Sequence, residues 1–476
     1  MSPCAATLDA VFYPRSIAVV GASADPTKAG AKWVQGLLAA GYSGPIYPVS
    51  RHGGTIGGLN IARSLAEIDD DIDYVIASVP LHSVLQLIDE CISKRARVVQ
   101  FFTAGFSETG KPEGADLETE MLRRARSAGL RIIGPNCIGS YCPEAHIPLG
   151  PAATGKIGIP GPIGFISQSG GIAAKLVEYG LARDIRFSKG VSVGNSLDLD
   201  ASDFLDYLGQ DSKTGAIGMY LEGTRDGRRL FDSLKRVAAR KPVVLWKGGR
   251  TPAGANAAHS HTGSLAASPA IWSAMMRQAE TMEAHSLEEL CDCLLLLQNL
   301  GRTRARNVAV VGGLADGGGG ISVSGSDACA DNGLLLPELE PATRYRLLEL
   351  VGEVGSILRN PVDVSPAQFR GLETICAAIQ TVAEDRGIEL LMVQMDMDIM
   401  ASFLSADEGM EIARFLARLS GTSDKAIVVV LPSGSAETER QAAASTLSSA
   451  GVPVYPTIAR AARALSIVSG RAALPA

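Results

Sequence analysis

Hydrophobic positions along this chain fall into two alternating patterns. Short Val- and Ile-rich runs such as "SIAVVGAS", "GPIYPVS", "YVIASVP", "RVVQFFTAGF" and "LRIIGPN" occupy the first third. A strand covered on one face only would alternate apolar and polar residues, so these near-continuous runs read as parallel strands buried on both faces. Between them "AKWVQGLLAAG", "SVLQLIDECISKRA" and "LETEMLRRARSAG" place apolar residues at three- and four-residue spacing. That is the period of helices crossing over a doubly wound sheet, and it predicts a Rossmann-like α/β unit over residues 1–145.

The pattern breaks in "CPEAHIPLGPAATGKIGIPGP", which is crowded with Pro and Gly and reads as a connector. It restarts with "IGFISQSG", "FSKGVSVG", "AIGMYLEG" and "PVVLWKGG", and a long helical run near Asn299 closes a second α/β unit over 146–300. The charged stretch "GRTRARN" then leads into "VAVVGGLADGGGGIS", "LLMVQMDM", "AIVVVLPSG" and "VPVYPT", a third α/β unit over 301–476. In open sheets of this kind ligands gather at the carboxyl ends of the strands, so the loops just after the strands are where chemistry is sought.

Composition narrows the function. With 476 residues, 46% hydrophobic and 20% charged, the chain is globular and long enough for several cores. A net charge of −6 without a long basic run argues against nucleic acid as a partner. No apolar stretch reaches a membrane-spanning length, and the start "MSPCAATLDAVF" lacks a secretory pattern, so a cytoplasmic location without membrane attachment is expected. The close pair Cys291 and Cys293 sits in a helical run without further ligands, and no metal site is predicted on this chain.

Three loops carry candidate chemistry. "VVGASADPTKAG" begins like a dinucleotide loop, but Ser23 and Asp25-Pro26 stand where later glycines of that fingerprint belong. The second strand ends in Pro48-Val49-Ser50-Arg51 rather than in an acidic residue, and an Arg there favours a phosphate-bearing ligand; a purely structural turn is the alternative. "ISQSGGIAAKLVEYGL" passes from strand to helix through Ser169, Gly170 and Gly171, whose bare N–H groups can face an anion or simply cap the helix. In "AHSHTGS" no acidic residue or cysteine lies within ten residues of His261, a poor start for a metal site. An imidazole nucleophile fits better, provided a carboxylate takes the hydrogen of its second nitrogen, and Glu222 at the end of "IGMYLEG" is the candidate; a solvated loop histidine is the plain alternative.

Taken together, "PRSIAVVGAS", "FTAGFSETG", "IIGPNCIG", "GFISQSGGIAAKLVEYG", "VSVGNSLDLDASDFLDYL", "YLEG", "KGGRT" and "SHTGSLA" resemble the α subunit of the NDP-forming acyl-CoA synthetases, in the succinyl-CoA synthetase superfamily. The likeness extends over almost the whole chain and implies a Rossmann-like CoA-binding domain followed by two flavodoxin-like, succinyl-CoA-synthetase-like domains. It implies that His261 is the phosphorylated residue, that Glu222 holds it, and that Ser169, Gly170 and Gly171 bind the transferring phosphate. CoA contacts are implied at Ser23, Ser50, Arg51, Val79, Pro80, Thr103, Ala104 and Gly105. The implied reaction is reversible ligation of a small carboxylic acid to CoA, with ATP converted to ADP and phosphate. After Gly301 the chain repeats a parallel α/β pattern and leaves no region for an ATP-grasp fold. ATP/ADP and Mg²⁺ are therefore expected on a separate β chain in an oligomer, the alternatives being a non-catalytic acyl-CoA-binding or regulatory protein of the same fold and, disfavoured by the broken glycine fingerprint, an NAD-linked oxidoreductase.

Overall fold

The Val- and Ile-rich runs form the strands of three largely parallel sheets. The computed structural model describes residues 3–151, 157–256, 268–314, 319–352, 358–364, 370–403 and 405–470. The chain divides into two compact units, Met1–Leu290 and Cys291–Ala476. No described helix is long and apolar enough to cross a membrane.

The first unit holds two large sheets and a two-stranded one. In the first, strands β1 (Ile17–Val20), β2 (Ile46–Val49), β5 (Tyr74–Ala77), β6 (Val98–Phe101) and β7 (Arg131–Ile133) run parallel in the order β2-β1-β5-β6-β7. A small hairpin of β3 (Thr55–Ile56) and β4 (Leu59–Asn60) follows β2. Every residue of β1, β5 and β6 is buried, as the unbroken apolar runs require. Helix Ala29–Ala40 lays Trp33, Val34 and Leu37 on one face of this sheet, while Leu87 and Ile88 of helix Val84–Ser93 cover the other.

The second sheet contains β8 (Gly139–Tyr141), β9 (Ile163–Ser167), β10 (Phe187–Ser192), β11 (Ala216–Leu221), β12 (Val243–Lys247) and β13 (Met282–Ala284), in the order β13-β12-β11-β9-β10-β8. All pairs are parallel except β8 with β10. The edge strand β8 thus crosses into the second sheet before the Pro- and Gly-rich connector is reached. Its sequence Gly-Ser-Tyr has no Val/Ile signature, which is why the hydrophobic pattern does not reveal it.

The turn Gly134–Cys137 binds these two sheets together. Asn136 N–H donates to Thr103 O at 3.0 Å on one side, and Asn195 N–H donates to Pro135 O at 3.0 Å from the other. Beside it, the Asp198 side chain, 1% exposed, accepts from Arg131 Nε at 2.6 Å, from Arg126 Nε at 3.3 Å and from the Ile132 N–H at 3.1 Å. Replacing Asp198 with Ala removes the acceptor of the buried Ile132 N–H and of Arg126 and Arg131, whose side chains are 61% and 25% exposed and can turn to water. Asp198→Ala is expected to destabilise the first unit by about 2 kcal/mol, mostly the cost of leaving the buried Ile132 N–H unpaired. Chemical denaturation would read this as a lower midpoint at unchanged slope.

In the second unit, β14 (Val308–Leu314), β15 (Val362–Asp363), β16 (Leu390–Met395), β17 (Ala426–Val430) and β18 (Val454–Tyr455) are parallel in the order β15-β14-β16-β17-β18. Counted within the unit this is 2-1-3-4-5, the flavodoxin order. Asp292 belongs to it, accepting from Arg460 at 2.7 and 2.9 Å. Of the run Gly317–Gly320, the last two residues open helix Gly319–Asp331, and the first two lie outside the described residues.

Candidate functional site

At the carboxyl end of the first sheet the loops after β1, β2 and β5 enclose a cavity of about 730 Å³. The β1 loop is closed by two glycines. Gly21 has φ +93°, and a Cβ there would lie 2.1 Å from Ser78 O; a Cβ on Gly30 would lie 1.9 Å from Gly21 O. The helix start can approach the strand end only because both side chains are absent. Ser23, Ser50, Arg51, Val79 and Pro80, five of the residues expected to meet a phosphate-bearing cofactor, line this cavity. The Ser23 hydroxyl accepts from Asp25 N–H at 3.1 Å and so shapes its own turn.

Thr103, Ala104 and Gly105 are not part of that wall; they form the next turn, after β6. Thr103 Oγ1 donates to Val79 O at 2.7 Å, joining this turn to the cavity rim, and Gly105 takes φ +109°. Lys28 and Arg63 also line the cavity, and neither stands out in the loop motifs of the sequence. Arg63 arrives because the β3–β4 hairpin folds the chain back, with Ser50 N–H donating to Ala62 O at 2.8 Å and Ala62 N–H to Pro48 O at 2.9 Å. A signal exists in the glycine-punctuated "RHGGTIGGLNIAR", whose length and turn residues fit a hairpin returning a cation beside Arg51. Lys28, Arg51 and Arg63 give the cavity a positive wall suited to phosphate groups.

A second cluster lies at the carboxyl end of the second sheet, where β9 and β11 are neighbours. Ser169 caps helix Gly170–Leu181, its hydroxyl accepting from Ile172 N–H at 3.4 Å. Gly171 is exposed, and a Cβ there would meet only Ser169 Oγ, at 3.9 Å. The helix start is therefore open, with its N–H groups and positive dipole end available to an anion.

Glu222 follows β11 and is 6% exposed. Gln168, the residue before the helix cap, fixes it: Gln168 Oε1 accepts from Glu222 N–H at 2.7 Å and from Gly223 N–H at 3.0 Å, while Gln168 N–H donates to Tyr220 O at 2.9 Å. The Tyr220 hydroxyl donates to Glu222 Oε1 at 3.0 Å. Burial, then the Glu222 charge, pushes the Tyr220 hydroxyl well above the usual phenol range, so it remains a donor. Lys247, paired in register with Leu221, is 5% exposed, donates to Gly248 O and lies 5.2 Å from the centre of the Trp272 ring. Burial lowers its pKa, and the Glu222 charge partly opposes that shift.

The structure therefore brings Ser169, Gly170, Gly171 and Glu222 to the carboxyl end of one sheet, and it adds Gln168, Tyr220 and Lys247. Gln168 sits inside a motif whose Ser and Gly carry the visible signal. His261 and His259 lie outside the described residues, on the connection between β12 and helix Pro269–Gln278. Among the described residues no group of three or more His, Cys, Asp or Glu is arranged to hold a metal ion.

Two family models match this chain. A family model described as a CoA binding domain matches residues 15–143, and one described as a succinyl-CoA ligase like flavodoxin domain matches residues 160–297. The chain is 36% identical over 468 residues to the α subunit of acetate–CoA ligase [ADP-forming] I from Pyrococcus furiosus, covering 97% of this chain and 96% of that one. It is 34% identical to acetate–CoA ligase [ADP-forming] I from Archaeoglobus fulgidus over 97% of its own length, but spans only 63% of that longer protein. Among solved structures, acetyl-coenzyme A synthetase 1 of Candidatus Korarchaeum cryptofilum, in complex with phosphate and ADP, superposes with a TM-score of 0.84 at 31% identity, covering 97% of this chain and 96% of that one.

Proposed function

The chain belongs to the family of ADP-forming acetate–CoA ligase α subunits, and from that premise we propose that it binds CoA and carries the phosphoryl group in a reversible acid–CoA ligation. The overall reaction is acid, CoA and ATP to acyl-CoA, ADP and phosphate. The observation that carries the reading is Gln168, whose one carbonyl oxygen ties the backbone of Glu222 to the open helix start at Ser169. A carboxylate and an anion site held this rigidly together are what a phosphorylated imidazole needs.

In the proposed sequence an unprotonated ring nitrogen of His261 attacks the γ-phosphorus of ATP, and the bond to the ADP oxygen breaks. The other ring N–H donates to Glu222, whose charge offsets the positive phosphorylated ring. A carboxylate oxygen of the acid then attacks phosphorus, the N–P bond breaks, and an acyl phosphate forms. The CoA sulfur attacks the acyl carbon and phosphate leaves carrying the thiol proton. Ser169, Gly170 and Gly171 hold the phosphoryl anion at the helix start, and Tyr220 and Gln168 keep Glu222 in place.

The proposed division of labour is CoA on residues 1–145, the phosphohistidine in 146–300, and a second ligase-like unit in 301–476. CoA contacts are assigned to the cavity residues Ser23, Ser50, Arg51, Val79 and Pro80 and to the adjoining turn of Thr103, Ala104 and Gly105. We assign ATP and its Mg²⁺ to a partner chain with an ATP-grasp fold, and route no step through a metal on this chain. The α-subunit naming of relatives matched over nearly their whole length, and the longer Archaeoglobus protein, support a missing partner.

The test is thioester formation from acid, CoA and ATP by the chain combined with its ATP-binding partner. Removing one positive charge from the cavity should weaken CoA without touching the chemistry. Arg51→Ala and Arg63→Ala are each expected to raise KM for CoA about tenfold, equivalent to about 1.4 kcal/mol, with kcat within about twofold of the parent. Calorimetry showing NAD bound more tightly than CoA would remove the ligase reading of this cavity.

A further inference from the structure

The two sites lie on different sheets, and a side-chain network links their loops. Glu108 accepts from Gly105 N–H at 2.6 Å and from Phe106 N–H at 3.1 Å, so it holds the turn after β6. Asn195, in the loop after β10, donates from its Nδ2 to Glu108 Oε2 at 2.6 Å and to Glu118 Oε1 at 2.8 Å. Glu118, from helix Pro112–Ser127, is 4% exposed and also accepts from Ser107 Oγ at 2.8 Å. Arg225, three residues after Glu222, completes the chain: its Nη2 donates to Glu118 Oε2 and to Asn195 O, both at 3.2 Å.

We propose that Arg225 is a positioning residue of the ligase reaction, fixing the Glu222 loop against the Thr103–Gly105 turn through Glu118, Asn195 and Glu108. The inference rests on the functional reading above and deepens it. Two carboxylates share the single neutral amide of Asn195, and Arg225 is the cation that offsets their repulsion. Without it the carboxylates separate, and the Gly105 and Glu222 loops lose their common register. Its side chain is 50% exposed but that of Glu118 is 5% exposed, so loss of Arg225 leaves a buried carboxylate with Asn195 and Ser107 as its remaining donors and lowers stability as well as disturbing position. The consequence falls on distance between reacting groups, to which transfer reactions are steeply sensitive.

The experiment compares wild type, Arg225→Gln and Arg225→Lys, each assembled with the ATP-binding partner. CoA affinity, phosphoenzyme yield from ATP, and discharge of the phosphoenzyme into thioester on adding acid and CoA are measured separately. For Arg225→Gln we expect CoA affinity and phosphoenzyme yield within twofold of wild type and discharge at least about tenfold slower. Arg225→Lys, which keeps the charge, should recover discharge to within about threefold. Discharge by Arg225→Gln at the wild-type rate overturns the proposal, as does a loss of equal factor in all three measurements, which marks a merely structural role. A wild-type complex that forms no acid-dependent thioester overturns the functional reading itself, a failure seen before any variant is compared.

Discussion

His261→Ala is expected to lower acid-dependent thioester formation by at least about 10⁴-fold, because loss of a nucleophile removes the covalent route itself. A carboxylate must be converted to an acyl phosphate before a thiol can displace its oxygen, and a carrier imidazole is the proposed means of bringing phosphate to it. The sequence Ser-His-Thr-Gly-Ser places His259 two residues away, with the same side chain in the same tract. If proximity alone sufficed, either histidine would serve. The reading makes His261 the carrier, so labelled ATP should leave an acid-labile, alkali-stable phosphoryl group that vanishes in His261→Ala and persists in His259→Ala with activity within about threefold. Label retained in His261→Ala, or lost in His259→Ala alone, would assign the carrier elsewhere.

Features of this fold are legible in the sequence to the extent that their causes are local. The parallel strands are legible because burial on both faces writes an unbroken Val/Ile run, as in Ile17–Val20 and Ala426–Val430. Strand β8 is not, because an edge strand of Gly-Ser-Tyr carries no such run and its identity is set by pairing with Gly190–Ser192. The glycines at 21 and 30 are visible as residues, yet their purpose emerges only when the helix start meets the strand end. Arg63 acts through a chain reversal that its glycine-punctuated stretch signals only weakly, and Gln168 through cross-strand adjacency, which no spacing rule encodes. The Glu108–Asn195–Glu118–Arg225 network spans 118 residues of sequence; each member alone reads as an ordinary polar surface residue.

Glu222→Gln is the sharper test of the site, because it changes charge while keeping shape. The backbone bonds that place residue 222 run from its own N–H and that of Gly223 to Gln168, and they do not involve the side chain. The Tyr220 hydroxyl, held protonated by burial and by the neighbouring carboxylate, can donate to an amide oxygen as it does to Oε1. Fold and local geometry should survive, with CoA affinity within about twofold because the cavity belongs to the other sheet. Chemistry should not survive. An amide neither offsets the positive phosphorylated ring nor favours the tautomer that leaves the attacking nitrogen bare, and the comparable carboxylate-to-amide change beside a catalytic imidazole costs about 10⁴-fold. The expected fall in kcat is therefore between about 10² and 10⁴, with phosphoenzyme formation slowed by the same factor. A Glu222→Gln complex that phosphorylates within threefold of wild type would mean that another group neutralises the ring, and Lys247, whose ammonium opposes that role, would then be the wrong neighbour for it.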